Sequence, residues 1–218
     1  MNTSPLLQLS KDTLLVIPCS GAKQPGSKPG NALSILSEID PARAARLATA
    51  RAALRARAQV DEKTLMPAYR RYAGQLYEHG ANSIGAALAA GRRILIVSGG
   101  YGLLLAVEAI GMYEKRFALS DWPRGLLEEC LLDYARHVGV RSVIAVMSST
   151  TDYARLIRSV NWRGAVLAAT LVSPVAHGGG AMVKVPRAQG QAIAALIRTG
   201  VNQAWQSSDS LSLATRNL

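Results

Sequence analysis

The chain is poor in several residue types on which whole classes of protein depend. Its 218 residues include two Cys, three His and one Phe. Cys19 and Cys130 lie far apart, and neither stands at metal-ligand spacing from another ligand, so a zinc site built on them is not expected. No metal and no cofactor is predicted. With one Phe, the core must consist of Leu, Ile, Val and Ala, which favours close helix packing through small side chains.

Long apolar segments are also missing. No run approaches the roughly 18 residues of a membrane-spanning helix, and the N-terminus lacks the basic start and apolar stretch of a signal peptide. We therefore expect no membrane partner and predict cytoplasmic residence. The length favours a single domain, placed at 12–205, with flexible tails at 1–11 and 206–218.

Acidic residues are scarce relative to basic ones. The chain has 25 Lys and Arg against 14 Asp and Glu, a net charge of +11. Such a balance favours polyanionic partners, and the excess of Arg over Lys favours phosphate, which Arg binds in a bidentate manner. An Arg-rich proteome would produce the same balance, so charge alone leaves both interpretations open.

Short apolar runs alternate with segments of helical periodicity. The runs, which are typical of buried parallel strands, lie at 13–18, 93–98, 142–147 and 165–171. Helices are predicted at 41–60, 67–78, 81–90, 122–138, 151–160 and 186–205. This alternation predicts an α/β fold with a mainly parallel central sheet flanked by helices. Ligands of such sheets bind beyond the carboxyl ends of the strands, so the loops after strands are candidate sites.

The loop after the first strand combines small residues with a positive charge. Cys19 and Ser20 permit close backbone approach, and Lys23 supplies the charge, which together suit a phosphate or sugar edge. An ordinary Gly/Pro turn would have the same composition.

The second strand leads into a glycine-rich turn. Ser98 and Gly99 precede Tyr101, and Glu108 and Tyr113 follow. A nucleotide base could stack on Tyr101 or Tyr113, as flipped or single-stranded bases do. The alternatives are that Tyr101 fills the turn and that Glu108 is a solvated residue.

The later loops carry hydroxyls and single charges. Ser149, Asp152 and Tyr153 follow the third strand at a predicted helix N-terminus, where they would cap the helix, bind an anion or place Asp152 beside a sugar. His177 follows the fourth strand and is either idle or a proton-transfer group. Lys184 and Arg187 add positive charge near the last helix.

Two basic segments could contact a DNA backbone. The first predicted helix carries arginines over half of its circumference and alanines over the other half, which predicts a phosphate-tracking surface or a solvated face. Those arginines are Arg43, Arg46, Arg51, Arg55 and Arg57. The segment 67–78 interleaves Arg70 and Arg71 with Tyr69, Tyr72 and Tyr77, a mixture that suits bases and phosphates but also a buried tyrosine stripe.

In their order along the chain, these segments resemble the YaaA family of peroxide-stress proteins over residues 13–200. The similar segments are PCSGAK (18–23), GQLY (74–77), SGGYG (98–102), IGMY (110–113), SSTTDY (148–153) and KVPRAQG (184–190). Gln75 stands where the family has Asp. The resemblance implies a YaaA-like α/β domain, loosely akin to DNA glycosylases, that binds DNA through a positively charged cleft and limits DNA damage.

Our first hypothesis is a DNA glycosylase that hydrolyses the N-glycosidic bond of a modified or damaged base, with phage DNA as one source, and the residue inventory fits this chemistry. The substrate would be double-stranded DNA with a flipped nucleotide, its phosphates on Lys23, Lys184 and Arg187. Asp152 is the first choice and Glu108 the second for the carboxylate that stabilises the sugar cation, because both are expected near the carboxyl edge of the sheet.

Two alternatives stay open. One is a DNA-binding protein of oxidative stress without turnover. The other is a nucleotide phosphoribohydrolase of the LOG type, suggested by the Gly-Gly-Tyr-Gly turn with a downstream Glu.

Overall fold

The computed structural model describes residues 6–28, 33–176 and 179–218, so His177 lies outside the described residues. The strands are β1 (Thr13–Pro18), β2 (Asp61–Pro67), β3 (Arg93–Ser98), β4 (Gly102–Leu105), β5 (Ala109–Met112), β6 (Ser142–Val146), β7 (Ala168–Val175) and β8 (Ser212–Asn217). The helices are α1 (Pro41–Arg55), α2 (Ala68–Arg71), α3 (Gln75–Ala89), α4 (Leu126–His137), α5 (Asp152–Ser159) and α6 (Ala181–Arg198).

A six-stranded sheet in the order β4-β3-β1-β6-β7-β8 forms the centre of the protein. Strands β3, β1, β6 and β7 run parallel, and β4 and β8 close the two edges in antiparallel register. Strands β2 and β5 pair separately. The predicted α/β class, with a mostly parallel sheet flanked by helices, is confirmed.

Both faces of the sheet are buried, which explains why the parallel strands are continuous apolar runs. In β1, Leu14 and Val16 face one core together with residues of α1, α4 and α5. Leu15 and Ile17 face the other core, which includes residues of α3 and α6. No helix in the described parts of the chain is long and apolar enough to cross a membrane.

Several element boundaries differ from the predicted ones. The predicted helix at 41–60 ends at Arg55, because the chain is extended again from Asp61 as β2. The predicted helices at 67–78 and 81–90 are instead the short α2 and one continuous α3, separated by extended backbone at Tyr72 and Gly74. Helix α6 begins at Ala181, and Pro186 lies inside it.

The described parts of the two segments predicted as tails, residues 6–11 and 206–218, contact the body of the protein. Strand β8 pairs with β7 from Ser212 onward. At the other end, Leu7 forms a bridge with Val201, and Leu9 is buried. Most β8 side chains are exposed, so the hydrophobic pattern by which a strand is predicted is absent there.

Helices α3 and α6 pack at unusually close range through glycine. A Cβ atom at Gly190 would overlap the Leu76 carbonyl oxygen and lie 3.0 Å from the Cβ of His79, and a Cβ at Gly80 would lie 3.5 Å from Gly190. Two backbones can approach this closely only where side chains are missing. The contact places the middle of α6 against the first turns of α3.

We expect Gly190→Ala to lower the free energy of unfolding by about 1–3 kcal/mol, because the added methyl must push the helices apart. Gly179→Ala is the control, since its Cβ would meet nothing within 4 Å, and it should change stability by less than about 0.5 kcal/mol. Urea unfolding monitored by circular dichroism measures both. Equal stability of the two variants would contradict the close contact.

Candidate functional site

The sheet topology creates a crevice beside β1. The chain leaves β1 towards β3 on one side and later returns to β6 on the other side. The loops after β1 and β6 therefore diverge at the carboxyl ends of these strands. Ligands of open α/β sheets bind at such a switch point.

A cleft of about 240 Å³ occupies this crevice. Residues 18–21, 74–76, 148, 151, 153, 186 and 189 line it, and we call it the switch-point cleft. It shares Ser148, Thr151 and Pro186 with a neighbouring cavity of about 540 Å³, which Ser149 also lines. The cleft thus brings together predicted residues from the first and third strand loops.

Polar side chains from three elements meet in the cleft. The Cys19 Sγ and Tyr153 Oη atoms lie 3.1 Å apart, and the Tyr153 ring stacks on Phe117 with centroids 4.9 Å apart. Gln189 is buried in α6 and donates from Nε2 to the Ser148 Oγ at 3.4 Å. The wall therefore offers a thiol, hydroxyls and an amide.

Two helices begin at the cleft without a side-chain cap. The N-cap residue of α3 is Gly74, which has no side chain. The N-cap residue of α5 is Thr151, whose side chain accepts no hydrogen bond from the first turn. Uncapped first turns present N–H groups and a partial positive charge, which favour anions. A Cβ at Gly74 would overlap the Ser20 Oγ, so the loop after β1 lies close against this helix end and a side chain there would force the Ser20 hydroxyl to turn away.

Lys23 lies beside the cleft without an acidic partner within salt-bridge distance among the described residues. Its Nζ donates to the Gly21 carbonyl at 3.1 Å and sits 3.9 Å from the centroid of the Tyr113 ring. Burial lowers the pKa of Lys23 from its ordinary value, an effect that the negative charges of Cys19 and Glu114 oppose.

The predicted stacking tyrosines are buried instead. Tyr113 is 1% exposed and Tyr101 is 7% exposed. The hydroxyls of Tyr72, Ser98 and Tyr113 form a closed triangle with sides of 2.9–3.1 Å. Burial raises the pKa of Tyr113 well above its usual range. Neither Tyr101 nor Tyr113 can stack on a base in this arrangement, so that expectation is corrected.

Tyr101 and Tyr77 support the loops. The Tyr101 hydroxyl donates to Glu62 at 3.2 Å and accepts from the Gly111 N–H at 3.1 Å. The buried Tyr77 hydroxyl donates to the Pro18 carbonyl at 2.9 Å. Both rings thus position the backbone rather than a ligand.

The glycine-rich turn is filled by the segment after β5. A Cβ at Gly99 would overlap the Lys115 carbonyl, and one at Gly100 would lie 2.8 Å from the Tyr113 ring. A phosphate has no room at this turn. The geometry therefore gives no support to the phosphoribohydrolase alternative.

Glu108 is a buried structural carboxylate. It pairs with Arg51 at 3.0 Å and accepts from the Ser34 hydroxyl at 2.8 Å and from the N–H groups of Ile35 at 2.9 Å and Leu105 at 3.2 Å. It follows β4, which runs antiparallel to β3, so it lies towards the amino ends of the parallel strands. The expectation that Glu108 lies at the carboxyl edge is wrong.

Asp152 does lie at the carboxyl edge, between two residues that line the cleft. Its Oδ2 accepts from the Leu119 N–H at 2.9 Å, and its Oδ1 pairs with Arg155 at 3.2 Å. The carboxylate thus ties α5 to the short helical turn at Leu119–Asp121. Its side chain is engaged outside the cleft lining.

The arginines of α1 are engaged by carboxylates. In α1, Arg43, Arg46 and Arg55 each pair with at least one Asp or Glu at 2.8–3.8 Å. Arg57, just after the helix, pairs with Asp121 at 2.7 Å. Arg51 is mostly buried and also donates to the Tyr101 and Leu103 carbonyls. The expected row of free guanidinium groups along this helix is therefore absent, and Arg51 cannot reach a DNA backbone.

The two arginines of α2 differ sharply. Arg71 is fully buried and donates to the carbonyls of Gln24 and Thr64, which excludes it from a DNA surface. Arg70 is exposed, and its Nε donates to the Tyr69 hydroxyl at 2.8 Å. Arg70 alone of this pair remains a candidate for phosphate contact.

The two predicted basic residues of α6, Lys184 and Arg187, also differ in their surroundings. Arg187 donates to the Gln75 Oε1 at 2.9 Å and pairs with Asp209 at 3.3 Å, so it fastens α6 to the start of α3. Lys184 is exposed one turn earlier. Arg187 therefore shapes the cleft wall, and Lys184 is free to meet an anion.

Four residues that line the cleft with polar side chains were not among the predicted site residues, namely Gln75, Ser148, Thr151 and Gln189. All four fall inside segments of the family resemblance, which was the available signal, although glutamines and single hydroxyls carry little chemistry on their own. Among the described residues, no group of three or more His, Cys, Asp or Glu side chains is arranged to hold a metal ion. No protein-family model and no curated protein matches the sequence.

We expect Glu108→Gln to lower the free energy of unfolding by about 3 kcal/mol, because Arg51 would keep a buried charge without its partner. Arg46→Gln, which breaks an exposed pair with Glu129, should cost less than about 1 kcal/mol. Urea unfolding of both variants measures the difference. A fully stable Glu108→Gln protein would refute the structural role.

We expect anion binding at the cleft to weaken as the pH rises through the lowered pKa of Lys23, below its ordinary value of 10.5. The charge on Lys23 is fully present below that pKa and lost above it, whereas the phosphate of deoxyadenosine 5′-monophosphate keeps its charge above about pH 8. Calorimetric titration at several pH values, in a Cys19→Ser background that removes thiol ionisation, measures the loss. The same loss of anion binding with rising pH in a Lys23→Gln protein would contradict the assignment of this effect to Lys23.

Proposed function

We propose that the chain binds double-stranded DNA at the carboxyl edge of its sheet and takes one extruded nucleotide into the switch-point cleft. One observation carries the proposal: the uncapped first turns of α3 and α5 open onto the same cleft, beside Lys23. Helix N-termini and a lysine suit a phosphate. Gln189 and Ser148 form a polar wall for the sugar or the base edge.

The size of the cavities favours a single nucleotide. The cleft and its neighbour measure about 240 and 540 Å³ and share lining residues. A double helix cannot enter them, so a base must leave the stack to reach the cleft. The net charge of +11 favours the approach of the polyanion.

The reaction that we propose is hydrolysis of the N-glycosidic bond of a modified or damaged base. Departure of the base places positive charge on the sugar, which a nearby carboxylate stabilises. Asp152 is the acidic residue that supports this role, because its neighbours Thr151 and Tyr153 line the cleft. One carboxylate oxygen of Asp152 accepts a hydrogen bond from the Leu119 N–H and the other pairs with Arg155. Asp152 would therefore act through its charge and not as a nucleophile.

DNA binding without turnover is the second candidate. It is favoured by the pairing of Asp152 with Arg155 and by the lack of acidic residues among the described residues that line the cleft. The resemblance to the YaaA family agrees with DNA binding in both candidates and remains a prediction.

The test is incubation of the protein with duplexes that carry unmodified, oxidised or phage-modified bases. Binding is followed by fluorescence anisotropy and base release by mass spectrometry after alkaline cleavage. Asp152→Asn should lower kcat by about 10²–10³-fold, the typical cost of losing one preorganised electrostatic group. Binding should persist, because the amide oxygen still accepts from Leu119.

Asp133→Asn is a matched control. Asp133 also accepts from a backbone N–H, that of Asp40 at 2.5 Å, and pairs with Arg43 at 3.6 Å, but it lies in α4. It should leave kcat unchanged. Binding with no released base on any duplex would favour the second candidate, and the absence of any DNA binding would overturn both.

A further inference from the structure

A second groove runs along α3, next to the turn of this helix that borders the switch-point cleft. Its volume is about 930 Å³. Residues 74–76 line the cleft, whereas Ala73, Tyr77 and Glu78 line the groove. An extended ligand that leaves the cleft over the start of α3 therefore enters this groove directly. We call it the α3 groove.

The groove follows one stripe of α3 from Glu78 to Ala89 through Asn82 and Gly85. The eleven steps from Glu78 to Ala89, each with the helical rise of 1.5 Å, make it about 16 Å long. Its floor is small or apolar, and the Asn82 amide is exposed at its side. The groove is thus elongated, as a single extended strand requires, and its volume is too small for a double helix.

Tyr69 forms an aromatic wall at Gly85. A Cβ at Gly85 would lie 3.3 Å from the Tyr69 ring, so the glycine leaves room for the ring to lie against α3. The ring is partly exposed, in contrast to the buried Tyr72, Tyr101 and Tyr113. The Tyr69 ring can therefore stack on a base that approaches from solvent, which the buried tyrosines cannot do.

Two cations line the α3 groove without a carboxylate partner among the described residues. Arg70 Nε donates to the Tyr69 hydroxyl at 2.8 Å, and its guanidinium carbon lies 5.5 Å from the ring centroid. Lys28 lines the same groove from the loop after β1, where its backbone N–H donates to the Leu65 carbonyl at 3.0 Å. Neither side chain meets a carboxylate within 4 Å among the described residues. They contrast with the paired arginines of α1.

From these contacts we propose that the α3 groove binds a single-stranded DNA segment flanking the nucleotide held in the cleft. A base stacks on Tyr69, and phosphates pair with Arg70 and Lys28. The proposal rests on the proposed function, because the same strand supplies the nucleotide in the cleft. It also names the substrate as DNA that is locally unpaired beside the target base.

The test compares three probes by anisotropy and calorimetry. The first is an oligothymidylate of about 12 nucleotides, a length within the range of single-strand site sizes. The second is a fully paired duplex of the same length. The third is deoxyadenosine 5′-monophosphate, which probes the cleft alone. Tyr69→Leu should weaken oligothymidylate binding about 5- to 100-fold, whereas Tyr69→Phe should retain it. Arg70→Gln should reduce the salt slope by about one, and all three variants should bind the mononucleotide normally.

Arg163→Gln is the charge-matched control. Arg163 is exposed in the connection before β7, at the amino edge of the sheet, and its loss should leave the salt slope of oligothymidylate binding unchanged. Normal oligothymidylate binding by the groove variants, with the mononucleotide still bound, would overturn this inference and leave the proposed function intact. Equal weakening of duplex binding would also overturn it, as would binding of an acidic peptide in place of the oligonucleotide. Failure of every DNA probe and of the mononucleotide would overturn the proposed function itself.

Discussion

The central position of β1 is the constraint on which the candidate site depends. Its backbone pairs with β3 on one side and β6 on the other, so the chain must leave it in one direction and return in the other. The loop that carries Cys19 and the helix that carries Tyr153 are 134 residues apart in sequence, yet their side chains lie 3.1 Å apart. The crevice between the two loops is a consequence of strand order.

The close contact of α3 and α6 then completes the cleft. Gly190 admits the Leu76 carbonyl, which brings the first turn of α3 beneath α6. Gln189, the residue before this glycine, is thereby directed at Ser148, and Arg187 reaches Gln75. The glycines at this contact, Gly80 and Gly190, thus permit a polar wall to be assembled from two helices.

Burial divides the polar residues into two groups with different chemistry. Glu108, Arg51 and Arg71 satisfy one another or the backbone inside the protein, where an unpaired charge would be costly. Lys23, Arg70 and Lys28 lie at the carboxyl edge or along the α3 groove without carboxylate partners among the described residues. The surface that favours an anion is therefore set by which cations lack partners, and not by where arginines are most dense in the sequence.

The sequence by itself determined the fold class, since buried parallel strands must be continuous apolar runs, and it placed β1 and β3 at their observed bounds. It also directed attention to Cys19, Ser20 and Tyr153, because loops after parallel strands share one edge. The mostly exposed β2 and β8 lack such runs, and β4 and β5 are only four residues long, so none of these four strands was predicted. Only the tertiary structure decided that Tyr101, Tyr113 and Glu108 are buried, because their side-chain environment comes from segments distant in the chain. The same holds for Gln189, whose place in the cleft depends on how α6 packs against α3.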